Sequence, residues 1–227
     1  MSKQAKLFIS VTVAVGAVCI ADSLSHDSSF GDLVAYVCYF ALALLTSTLK
    51  VRLPGITGTI SVNFLFVLIA IAAFSFSETV LLASAASIVQ CMWKTRRRPM
   101  LLQVSFNVAT LAISSGVAYR LAHALTDSHP GSILLLLTLA ACFYFTSNTL
   151  LVSGVLSLVE SRRLLDVWKQ CYLWSFPYYL VGAIIAGLVV ACGHTMGWAM
   201  PLMILPLMLM VHLFYRTCVH RLVPTAR

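Results

Sequence analysis

The chain has 227 residues, 60% of them hydrophobic and only 10% charged, with a mean hydropathy of +0.95. Soluble domains carry about a quarter charged residues, so a water-soluble globule is excluded. The formal net charge of +8 does not imply a nucleic-acid partner, because the bases flank apolar runs instead of forming a patch of their own.

Lys3 and Lys6 precede a first apolar run over 7–24, and Asp22, Asp27 and Asp32 follow. A second run, 33–49, ends at Lys50 and Arg52. A third, 58–76, is separated from a fourth, 78–93, only by a short polar break at Ser75–Glu78, so the two are expected to form a tight helical hairpin. Lys94, Arg96, Arg97 and Arg98 close the fourth run. The fifth, 100–122, leads to Asp127, and the sixth, 132–158, to Arg162, Arg163 and Lys169. The last two runs are 173–192 and 198–216, with Arg216, Arg221 and Arg227 at the end. A crossing needs ~20 mostly apolar residues, and Lys/Arg-rich loops stay in the cytoplasm. Of fifteen bases only Arg120 falls on the outer side. The pattern predicts an all-α, polytopic membrane helical bundle of eight transmembrane helices, both termini cytoplasmic, forming a single integral membrane domain over 1–227. The expected location is a multi-pass position in the inner membrane, if the source is bacterial. A cleaved signal peptide over the first run fits the eight-crossing count less well.

Three connections carry information. In residues 50–59, Pro54, Gly55 and Gly58 predict a turn, with Thr59 or Ser61 capping the next helix. Pro99 suits a helix start. Between Glu160 and Tyr172, the four-residue spacing of Leu164, Trp168 and Tyr172 predicts an amphipathic helix at the inner surface. Arg96, Arg97, Arg98, Arg162 and Arg163 are the candidate contacts to anionic lipid or a cytoplasmic partner.

The three asparagines, Asn63, Asn107 and Asn148, all fall inside apolar runs, the reverse of their usual place in turns. Gln103, Asn107, Thr110 and Ser114 repeat at spacings of four, three and four, forming one helical stripe. Amides cannot face lipid unsatisfied. Asn63, Gln103, Asn107, Thr110 and Asn148 are therefore candidate ligand-binding residues around a cavity open to the cytoplasm. The competing reading is interhelical hydrogen bonding, worth ~0.6 kcal/mol per bond. Asp22, Glu78 and Arg120 are expected at outer helix ends, where they can snorkel or hydrate. With no ionisable group expected at mid-membrane depth, a proton-coupled transporter is disfavoured.

No metal site is expected. The seven cysteines form no C-x-x-C pair, and His26, His123, His129 and His194 lack ligand spacing on any one helix. No catalytic motif assembles and no cofactor is expected. Gly182, Ala186 and Gly187 supply a small-residue packing face.

The stretch Lys50-Val-Arg-Leu-Pro-Gly-Ile-Thr-Gly-Thr-Ile-Ser-Val-Asn-Phe-Leu-Phe resembles the multi-helix sensor region found N-terminal to GGDEF or HD-GYP output domains in bacterial, notably acidobacterial, signalling proteins. Lys94-Thr-Arg-Arg-Arg-Pro, Val104-Ser-Phe-Asn-Val, Ser147-Asn-Thr-Leu and Trp174-Ser-Phe-Pro-Tyr-Tyr-Leu-Val-Gly share the likeness, which covers roughly 33–190. It implies a non-enzymatic membrane module that senses a small ligand or lipid and signals to cyclic-dinucleotide machinery. No output domain follows Arg227 in this sequence, so on this reading either the signal passes to a cytoplasmic partner or the chain is a fragment of a longer protein. The Pro-Gly-x-x-Gly turn ahead of a polar-lined helix is also similar to substrate-binding subunits of vitamin transporters. The alternative expectation is accordingly a small-molecule permease or such a subunit, with an ATPase partner.

Overall fold

The computed structural model describes residues 2–25, 32–48, 50–52, 59–61, 63–93, 100–127 and 131–196. The helix α1 spans Lys3–Ser25 and α2 Leu33–Thr46, the latter N-capped by Asp32, whose carboxylate accepts from Ala35 N at 3.0 Å. A two-stranded antiparallel hairpin follows, β1 (Lys50–Arg52) against β2 (Thr59–Ser61), with Val51 opposite Ile60. Then come α3 (Phe64–Ala73), α4 (Phe76–Met92), α5 (Leu101–Thr126) and α6 (Ile133–Glu160). The short α7 (Leu164–Cys171), one 3-10 turn (Leu173–Ser175) and α8 (Phe176–Met196) complete the described chain.

The break between α3 and α4 has a local cause. Ser75 is extended and its hydroxyl accepts from Glu78 N, while the Glu78 carboxylate accepts from Ser75 N at 2.8 Å. This capping box starts a new helix instead of continuing the old one. At the other end of the bundle, α6 stops where Ser161 adopts a left-handed φ of 55° and Arg162 N returns to Ser157 O at 3.1 Å. That closure satisfies carbonyls the helix end leaves open.

The centre of the bundle is α3. Every residue from Phe64 to Ile71 is buried, as a helix apolar on all sides demands. Around it pack Tyr36, Tyr39 and Leu42 of α2, Leu82 of α4, Ala118 of α5, Tyr144 and Phe145 of α6, and Tyr179 and Ala183 of α8. Small residues set the closest approaches. A methyl group at Gly16 would lie 2.5 Å from Ala109 Cα, which brings α1 against α5, and one at Gly182 would lie 2.7 Å from Phe64 Cζ, which brings α8 against α3. The surface is apolar as well. Leu7, Val11, Val15 and Val18 form an exposed stripe on α1, and Val181, Ile184 and Leu188 form another on α8. A bundle apolar inside and out is what lipid as solvent selects.

The expectation of eight full crossings is met only in part. Among the described residues, α1, α5 and α6 are long and apolar enough to cross a bilayer. The other apolar helices, α2, α3, α4 and Phe176–Cys192 of α8, are shorter, and the expected span 198–216 lies outside the described residues. The largest difference is at α3. Its ten residues reach about 15 Å, because 59–61, expected in the helix, pair as a strand instead. Neither Thr59 nor Ser61 caps α3; its N-cap position is Asn63, without a side-chain capping bond.

Candidate functional site

The sequence-predicted ligand residues fall on two sides of the α3 core. On α5, Gln103 is exposed, Asn107 is half-buried, and Thr110 and Ser114 are fully buried with no hydrogen-bond partner on their hydroxyls. The stripe is real as a helical face, and it runs from the surface inward. Asn107 donates its side-chain N–H to Cys91 Sγ of α4 at 3.2 Å, so this amide turns toward α4.

Asn148 turns elsewhere. Its side chain faces Tyr179 of α8. The Tyr179 ring lies 4.5 Å from Phe64 and 5.1 Å from Phe145. Phe64 directly follows Asn63, which is itself buried at the start of α3. Asn63 and Asn148 thus border one aromatic cluster, built because α8 can approach α3 so closely at Gly182.

The neighbour of Asn148 links this cluster to α7. The Thr149 hydroxyl donates to Phe145 O at 2.6 Å and accepts from the Trp168 indole N–H at 2.9 Å. The Trp168 ring also packs against Phe145. The amphipathic helix expected between Glu160 and Tyr172 is present, but its inward face is Val167, Trp168 and Tyr172. Leu164, expected on that face, is exposed together with Leu165. The helical repeat of 3.6 accounts for the shift: over eight residues a strict spacing of four drifts off the face. Arg162 and Arg163 are exposed beside α7, Arg162 pairing with Glu160 at 3.5 Å. Arg96, Arg97 and Arg98 lie outside the described residues.

A third polar group sits where α1, α4 and α5 meet. Arg120 forms an ion pair with Asp22 and places its guanidinium 4.5 Å from the centroid of Phe76. Ser77 donates to Ser23 O, and His123 stacks on Tyr119 at 4.2 Å. Asp22 and Arg120 are partly exposed, as expected of helix-end charges, but Glu78 is only 2% exposed. The expectation of a hydrated Glu78 is therefore corrected. The capping box draws its side chain back over Ser75, and α2 covers it, with the Tyr36 hydroxyl donating to Glu78 O at 3.1 Å. Among the described residues no group of three or more His, Cys, Asp or Glu side chains is placed to hold a metal ion.

Apolar helices around an internal polar seam, joined to a short amphipathic helix with basic flanks, define a helical membrane protein. The family model MASE9 matches residues 17–218, and the chain belongs to that family, one of membrane-associated sensors. Neither a curated protein nor a solved structure matches the chain.

Proposed function

We propose that the chain is a multi-pass sensor region of a bacterial inner membrane, with both termini cytoplasmic and eight crossings folded as one domain. It binds a small molecule or lipid, not a reacting substrate, and passes the state of that site to a cytoplasmic signalling partner. On this reading α3 is shorter than the bilayer because protein surrounds it. Non-helical backbone at membrane depth is tolerated where it is buried in protein. Asn63, Gln103, Asn107, Thr110 and Asn148 supply the donors and acceptors for the ligand. Arg162, Arg163 and the Arg96–Arg98 cluster meet anionic headgroups or the partner. The output is a GGDEF or HD-GYP activity, as the sequence resemblance implies.

The observation carrying this reading is the hydrogen bond from Trp168 to Thr149 at 2.9 Å, on the residue next to Asn148 in α6. Asn148 faces Tyr179, and the next residue, Thr149, accepts from Trp168 of the amphipathic helix. A ligand that competes for Asn148 displaces Tyr179 and the Phe145 ring beside it, and Phe145 also supports Trp168. The two ends of the signal thus meet at adjacent residues of α6. Mass spectrometry of small molecules and lipids co-purifying with the wild type and with Asn148→Leu tests the idea. A bound species retained by the wild type and depleted in the variant is expected. Equal retention in Asn148→Leu, with only a lower melting temperature, would falsify the ligand role of this amide.

A further inference from the structure

Glu78 is the only carboxylate among the described residues that is buried. Its Oε2 is accounted for by the capping box with Ser75 N. Its Oε1 is sealed from solvent and has no hydrogen-bond partner. Capping does not explain the charge, since glutamine completes the same box as well as glutamate. A buried carboxylate oxygen without a partner is costly, and an ionisable side chain enclosed in a membrane bundle marks a functional site.

The surroundings specify the partner. Tyr36 of α2 lies over this turn, its hydroxyl donating to Glu78 O at 3.1 Å, and Tyr119 of α5 packs against Phe76, two residues before Glu78. Their rings are held edge-on by neighbours, Tyr36 against Phe74 at 5.4 Å and Tyr119 against Phe76 at 5.5 Å. The adjoining Phe76 ring already takes a cation on its face, the Arg120 guanidinium, while Arg120 itself is committed to Asp22. A metal ion is a poor match. Calcium needs six to eight oxygen ligands and magnesium a near-ideal octahedron, and this locus offers one free carboxylate oxygen. A single acidic oxygen in an aromatic neighbourhood suits an ammonium group, which donates to the oxygen and lies against a ring face.

We infer that Glu78, with Tyr36 and Tyr119, forms a binding site for a small organic ammonium ion, separate from the amide-lined site of α5 and α6. Asp32, at the end of α2 nearest this locus, biases its approach toward cations.

The test is thermal unfolding of the full chain in detergent, followed by tryptophan fluorescence, in methylammonium chloride against sodium chloride at equal ionic strength. The wild type is expected to show a saturable rise in melting temperature with methylammonium only. Glu78→Gln keeps the capping box, and its apparent affinity for methylammonium is expected to fall about tenfold or more, as for loss of a charged hydrogen bond. A wild type that responds equally to both salts overturns the proposal. So does Glu78→Gln responding as the wild type does. Should Glu78→Gln fail to fold, Tyr119→Leu carries the test. Its affinity is expected to drop roughly two- to fivefold through loss of the ring, and an unchanged response there refutes the site.

Discussion

Trp168→Phe isolates the link between the bundle and α7. The substitution keeps an aromatic ring against Phe145 and removes the indole N–H that donates to Thr149 Oγ1 at 2.9 Å. Interhelical hydrogen bonds in membrane bundles contribute ~0.6 kcal/mol on average and up to about 2, and loss of indole packing adds to that. The Thr149 hydroxyl keeps its own acceptor, Phe145 O, so no buried donor is orphaned and the total stays at about 1–2 kcal/mol. Eight residues are too few to hold a helix unaided, so the cost falls on α7 before it reaches the core. Amide hydrogen exchange over Leu164–Cys171 is expected to accelerate roughly 5- to 30-fold, with α3 and α5 unchanged. Thr149→Val removes the acceptor and strands the indole N–H, so it is expected to cost at least as much. The double variant is then no worse than Thr149→Val alone, the non-additivity that marks a direct pair. Additive costs, or acceleration spread evenly over all helices, would show that the bond transmits nothing to α7.

Two further substitutions test packing and surface charge. Gly182→Leu drives a side chain into Phe64, whose Cζ stands 2.7 Å from where even a methyl would sit. A loss of about 1–3 kcal/mol is expected in chemical unfolding, whereas Val181→Leu next to it, on the exposed face, is neutral within ~0.5 kcal/mol. Arg162→Gln with Arg163→Gln is expected to deplete anionic lipid retained in nanodiscs, by at most about 1 kcal/mol for each base removed. Arg163 carries the larger share, because Arg162 is already paired with Glu160.

Much of the helical layout is legible in the residues because lipid imposes one-dimensional rules. Long apolar runs give α1, α5 and α6 within a few residues of the expected limits. The polar Ser75–Glu78 stretch marks the α3–α4 break, since the S-x-x-E pattern of a capping box is local. The start of α3 is not legible in the same way. Thr59 and Ile60 are β-branched and Ser61 is small and polar, a combination that suits either state, and only pairing with Lys50–Arg52 decides it. Likewise the inward face of α7 depends on which of Leu164 and Val167 meets α6, a choice made by the angle at which the chain leaves Ser161.

The site is less legible than the fold, and for a definable reason. Polarity inside an apolar run reveals that Asn63, Asn107 and Asn148 must find partners, but not which helix provides them. Asn107 and Asn148 carry the same side chain in similar surroundings, yet one faces a cysteine on α4 and the other a tyrosine on α8. The case of Glu78 is the sharper one. Read along the chain, it stands at a helix end next to a polar break and belongs with the hydrated charges Asp22 and Arg120. Burial depends on tertiary neighbours, and here α2 lays Tyr36 across the very turn that the capping box creates. A residue whose local role is complete with one oxygen is left holding a second oxygen inside the protein. Local geometry and global packing make opposite demands on that carboxylate, and such conflicts concentrate where a protein binds something.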